Sequence, residues 1–143
     1  MNRYIFITIL VLFISCNKIE NHKTLNQVDI QRIKKLNLLD NSETIYQFYS
    51  EYKKDVCGNF YTNKRIATYW LDKRNAKKDN VNFAYYNDIV KIDTIYKAGL
   101  SYCPYILVTK KNGFTFKVSI DGSERGIKSF FEGVFQQWRK IKN

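Results

Sequence analysis

Catalysis at a protein surface needs a nucleophile beside a base, a pair of carboxylates, or a set of metal ligands, and this chain is poor in all three. Its one histidine, His22, stands in a polar stretch with no partner nearby, so neither a Ser-His-Asp nor a Cys-His system can be assembled. No Gly-x-Ser-x-Gly, glycine-rich phosphate loop or His-Glu-x-x-His occurs, and the glycines are too scattered for a nucleotide cradle. Cys57 and Cys103, with no usable histidine, fall short of the tetrahedral ligand set of structural zinc, and no Cys-x-x-Cys redox pair is present. One catalytic route is left, a carboxylate pair such as Glu51 with Asp55 at i, i+4, as in a cell-wall glycosidase. Lys53 and Lys54 beside them make a solvated helix face the better reading. The residues therefore point away from an enzyme, and no metal or cofactor is expected.

Cys16 has a different setting. Arg3 is the only charge in residues 1–15, and Tyr4 to Ile14 is an apolar run broken only by the Thr8 hydroxyl. Ser15-Cys16 closes that run immediately before the polar Asn17-Lys18. A basic start, a short apolar core and a small residue before the cut describe a secretory signal. The run is 11 residues, whereas a membrane-spanning helix takes about 20. The stretch resembles a bacterial lipoprotein signal peptide, whose lipobox ends in a cysteine after a small residue. Ser15 and Cys16 match that pattern, and Phe13 stands where leucine is usual.

The resemblance implies removal of residues 1–15, a thioether from Cys16 to a diacylglycerol, and acylation of the new amino terminus. Each buried methylene contributes about 0.8 kcal/mol, so two or three acyl chains hold a protein on a membrane essentially permanently. An ordinary secretory signal, or an uncleaved anchor with Cys16 incidental, is the competing reading. The expected address is the cell envelope. Residues 17–21 carry no acidic run of the kind that marks some surface-exported lipoproteins, which favours an outer membrane and its periplasmic face. Residues 16–27 then read as the lipidated cysteine and a flexible tether, and residues 28–143 as one globular domain. In such an oxidising compartment Cys57 and Cys103 are candidates for a disulfide; two separate buried thiols are the alternative.

The chain is strongly basic, with 24 Lys and Arg against 13 Asp and Glu, a formal +11. The basic residues come as scattered pairs, which suits either a solvated surface or an anion-facing patch. For a lipid-anchored envelope protein the anionic neighbours are headgroups, envelope polymers and acidic proteins. No nucleic acid is expected as a partner.

Apolar spacing supplies the elements that must position any site. Residues 28–40 lean to a helix. Ile45, Phe48, Tyr49, Tyr52 and Val56 fall on one stripe of a 3.6-residue period, predicting a second helix capped at Asn41-Ser42 and stopped by Gly58. A third, from Thr62 or Asn63, carries Ile66, Tyr69 and Trp70 and fades into the charged run 72–80. From Val81 the period becomes two. Strands are expected over residues 83–86, 90–96, 102–109 and 114–120, with Asn112-Gly113 the hairpin turn between the last two. Ile127, Phe130, Phe131, Val134, Phe135, Trp138 and Ile141 predict a long C-terminal helix capped by Ser123 and packed on the sheet.

The fold class is therefore α+β, with N-terminal helices, a three- to four-stranded antiparallel meander and a covering helix. The sheet's second face has no obvious cover. Tyr85, Tyr86, Tyr102 and Tyr105 with Lys110, Lys111 and Lys117 are accordingly the expected partner-binding set. The function that fits is a non-catalytic, lipid-anchored module binding a protein or an anionic envelope polymer. An immunity or inhibitor lipoprotein that neutralises a toxin reaching the periplasm is the alternative, and a ligand-holding roll is a further one.

Overall fold

In a computed structural model the described residues are 18–97 and 103–143; Cys16 and Tyr102 lie outside them. Seven strands form two antiparallel sheets, flanked by a short helix before them and a long one after them. The first sheet has β1 (Ile45–Tyr49), β2 (Cys57–Thr62), β3 (Arg65–Trp70) and β4 (Asn80–Tyr85) in sequence order. The second has β5 (Ile89–Ile95), β6 (Tyr105–Lys110) and β7 (Thr115–Ser119). The α+β class, the antiparallel meander and the covering C-terminal helix stand as expected.

The first helix, α1 (Gln27–Lys35), begins where Asn26 accepts a hydrogen bond from the amide of Asp29. It ends earlier than the apolar spacing suggests, because Asn37 takes a left-handed conformation at φ 59° and turns the chain. Residues 18–25 are no free tether from Glu20 onward. Glu20 exchanges two backbone hydrogen bonds with Phe48, at 2.8 and 2.7 Å. His22 Nδ1 accepts from the amide of Ile45, and Leu25 is buried. Lys54 joins this strap to α1, with Nζ 2.8 Å from Glu20 and 3.3 Å from Asp29. An edge strand offers unpaired amides and carbonyls, and the strap takes up part of that offer.

The second and third expected helices are strands. Ile45, Phe48 and Tyr49 share a helical spacing only because a bulge between Ile45 and Gln47 breaks the alternation of β1. Tyr46 is thereby turned outward, and Phe48 and Tyr49 are both buried. β2 is buried along its whole length, so it shows no alternation to betray a strand. Gly58 sits inside β2 and stops no helix.

The first sheet is covered on both faces. Phe48, Phe60, Ala67 and Tyr69 pack against Ile30, Ile33, Leu38 and Leu39 from α1 and its following loop. Tyr61, Ile66 and Ala84 on the other face join Ile106, Val108, Val118 and Ile120 of the second sheet. The expectation of a bare second face therefore holds only for the β5–β7 sheet. In β7, Phe116, Val118 and the following Ile120 point inward as expected, but Phe114 is exposed.

The long helix, α2 (Glu124–Lys142), closes the open end of this core with Ile127, Phe130, Phe131 and Val134. Phe130 meets the Tyr61 ring edge-on at 5.1 Å, and Trp138 Nε1 donates to the carbonyl of Ile89. Ser123 caps the helix through Oγ, 3.1 Å from the amide of Gly126. Ser123→Ala is expected to cost about 1 kcal/mol in urea unfolding, the usual worth of such a cap. A change of less than a few tenths would mean that the cap is not needed once the helix is docked.

Candidate functional site

The residues singled out by the sequence do not form one patch. Tyr86 is fully buried and donates its hydroxyl to the carbonyl of Thr62, so it is part of the core and no contact residue. It follows the alternation of β4, in which Ala84 points into the same core and Tyr85 points outward. Tyr85 is exposed on β4, its ring 5.4 Å from Phe83. Lys110 pairs with Asp88 at 3.3 Å and lies 5.9 Å from the Phe83 ring. Lys111 is exposed on the hairpin turn, its amide bonded to the carbonyl of Asp88. Tyr105 and Lys117 meet elsewhere, on the wet face of the β5–β7 sheet, where Lys117 Nζ stands 4.6 Å above the tyrosine ring.

Cys57 and Cys103 are free thiols here, and the expected bridge is not formed. Cys57 is buried at the start of β2 with its sulfur 3.4 Å from Ser50 Oγ, and Cys103 is half-buried before β6. Burial first, and the Glu51 carboxylate after it, push the Cys57 thiol up; burial and then Asp121 and Glu51 do the same for Cys103. Both are poor nucleophiles in this state. Glu51 and Asp55 lie in the β1–β2 turn and not on a helix. Although Glu51 as a residue is exposed, lost hydration around its carboxyl raises it. Asp55 is lowered by Lys73, 3.2 Å away. Among the described residues no group of three or more His, Cys, Asp or Glu could hold a metal ion, and no helix is long and apolar enough to cross a membrane.

Two clefts remain. The larger, about 750 Å³, runs between β1 and the polar side of α2, lined by Gln47, Tyr61, Arg125, Lys128, Ser129 and Gly133 among others. Gln47 Nε2 donates to Ser129 Oγ at 3.0 Å, while Gln47 Oε1 is buried and makes no hydrogen bond to any described residue. Burial, followed by the nearby Tyr46, pushes the Tyr61 hydroxyl up to about 12. Basic Arg125 and Lys128 alternate with Glu124 and Glu132, so this cleft selects neither sign of charge.

The smaller cleft, about 330 Å³, is at the corner where the two sheets splay apart. On β3 and β4, Thr68 stands opposite Asn82 and Trp70 opposite Asn80, and all four side chains line the cleft. Ile66, on the same face two residues before Thr68, is in the core, whereas Trp70 has emerged to 45 % exposure. The opposite wall is the open edge of β7 with the residue before it: Phe114, 51 % exposed, then Thr115, Phe116 and Lys117. Buried Asn59 ties the corner, its Oδ1 accepting from Thr68 Oγ1 at 2.8 Å and from the amide of Ser119 at 3.1 Å. Since Ser119 turns its amide to that open edge, the period of two turns the amides of Lys117 and Thr115 the same way.

Local sequence hides this site, because Trp70 falls on an apolar spacing of helical period and Asn80 ends a charged run. The available signal was the pairing of Thr68/Trp70 with Asn80/Asn82, two alternating couples on either side of the charged run 72–79.

No protein-family model matches the sequence, and no curated protein does. Among solved structures, the crystal structure of a DUF1696 family protein with a pleckstrin-homology domain from Shewanella loihica PV-4 superposes with a TM-score of 0.52. The match covers 82 % of this chain and 97 % of that one at 12 % identity. The likeness is one of fold. At that identity it carries no residue of a site from one protein to the other.

Proposed function

We propose that this protein is a lipid-anchored binding module of the cell envelope that acts by recognition and not by catalysis. The observation that carries the reading is the splayed-corner cleft, where two exposed aromatic rings face side-chain amides and hydroxyls with no carboxylate in the lining. Apolar rings beside a few polar groups are the usual lining of a ligand site. The wet face of the β5–β7 sheet, with Tyr105 and Lys117, extends the same side of the molecule. Anchoring through Cys16 sets the working distance. Glu20 is already hydrogen-bonded to Phe48 and Ile19 packs on the core, so the four Cα steps from Glu20 to Cys16 can span at most about 14 Å. The domain is thus held close to the membrane surface, with no long leash.

Mass spectrometry of the native protein tests the anchoring. The expected result is a mature chain beginning at Cys16 with the added mass of a diacylglycerol and an acyl group, and release of Cys16→Ser into the soluble fraction. An intact leader, or a mature start without acyl mass, would remove the anchor from the proposal.

A further inference from the structure

The geometry points to an N-acetylated amino sugar as the ligand of the splayed-corner cleft, an inference that rests on the binding function proposed above and names its ligand class. Asn82 Nδ2 donates to Asn80 Oδ1, and this is the one hydrogen bond between the two amides. Each amide has a carbonyl oxygen and two N–H groups. Whichever way the pair is oriented, that bond leaves one amide NH2 and one amide oxygen unused by it, on two side chains that line the cleft. That donor and acceptor complement the carbonyl and N–H of an acetamido group.

The rest of the lining fits the same ligand. Trp70 and Phe114 offer apolar faces from the two walls, matching the C–H face of a pyranose ring and the acetamido methyl. The Thr115 hydroxyl and the edge amides of Thr115 and Lys117 can serve ring hydroxyls. The lining has no acid, so a cationic ligand gains nothing there, and there is no general acid or base to cleave a glycosidic bond. The single cation, Lys117, is held over the Tyr105 ring, which leaves the cleft without a strong demand for an anion. A volume of about 330 Å³ is at the small end for a ligand site, suited to a short stretch of glycan.

The test uses the full-length protein in detergent with two probes, the N-acetylglucosamine trimer and the glucose trimer of the same β-1,4 linkage. Binding is read by isothermal titration and by tryptophan fluorescence. The acetamido trimer is expected to bind at least about tenfold more tightly than the glucose trimer, the equivalent of one net hydrogen-bonded pair. Trp70→Ala should weaken the acetamido trimer about tenfold or more. Asn80→Ala should leave the glucose trimer unchanged and bring the preference below about threefold. Trp70 and Asn80 are both exposed, so circular dichroism and thermal melting should show the fold intact in each variant.

Equal affinity for the two trimers, no measurable binding, or binding indifferent to Trp70→Ala would overturn the inference. So would a dimer that Trp70→Ala dissociates, with no sugar affinity, since the rings would then be a self-association face. Sugar binding and acylation of Cys16 are separate readouts. Acyl mass without sugar binding sinks the ligand alone, and sugar binding without acyl mass sinks the anchor alone.

Discussion

Arg65→Met is expected to destabilise the domain by about 3–5 kcal/mol, the usual cost of leaving one member of a buried ion pair alone. Arg65 and Glu43 are both nearly inaccessible, and their side chains meet bidentately, Nε to Oε1 at 2.7 Å and Nη2 to Oε2 at 2.9 Å. Each partner is held by a further bond. Nη1 donates to the carbonyl of Asn37, and Glu43 accepts from the amide of Asp40. The guanidinium is also flanked by the Phe83 and Tyr85 rings, 4.9 and 4.7 Å from their centres. One side chain thus joins the α1–β1 loop, β3 and β4. Removing it leaves a carboxylate in the interior, where neither water nor another cation reaches it.

For a domain of this size the loss corresponds to a fall in Tm of roughly 10–20 °C. The double variant Arg65→Met with Glu43→Leu should recover more than half of it, because the orphan charge is gone. A contrasting pair makes the measurement decisive. Lys64 and Asp40 form an ion pair at 3.1 Å whose side chains are about 40 % and 46 % exposed, and Lys64→Ala should cost less than about 1 kcal/mol. Similar losses for Arg65→Met and Lys64→Ala would show that burial does not set the worth of the inner pair.

Gly58→Ala has the second large effect, about 1–3 kcal/mol from overpacking. A methyl group there would stand 2.5 Å from Tyr69 Cε1 and 2.7 Å from Phe48 Cε2 and Cζ. Neither ring can withdraw. Phe48 is fully buried and stacks on Phe60 at 5.9 Å, while the Tyr69 hydroxyl is fixed to the carbonyl of Lys54. Adding Phe48→Leu to Gly58→Ala should cost less than the sum of the two single changes, since the smaller side chain makes the room the methyl needs. Strict additivity in urea unfolding would mean that the clash is relieved elsewhere.

Gly58 also shows how local pattern misleads. Read along the chain, it follows an apolar stripe of helical period and a pair of lysines, which is the grammar of a helix end. In the fold it is a strand residue chosen because two aromatic rings cross its backbone. A single bulge hides the strand period of β1, and burial on both faces removes the alternation of β2 and most of β3. The second half of the chain was legible for the opposite reason. β7 has one wet face, Gly113 takes φ 84° in the turn before it, and α2 has one apolar stripe on an otherwise polar cylinder.

The sequence by itself determined the α+β class, the C-terminal helix and its cap, the β5–β7 meander, and the scarcity of groups that could do chemistry. Each is written in neighbours a few residues apart, where the periods of helix and strand act directly. Tertiary structure alone decided that Tyr86 is core, that residues 20–25 strap the β1 edge, that Arg65 finds Glu43, and that Trp70, Phe114 and two asparagines line one cleft. Those partners lie tens of residues apart in the chain. Only the stacking and splaying of two twisted sheets brings them together, and no local period records where two sheets part.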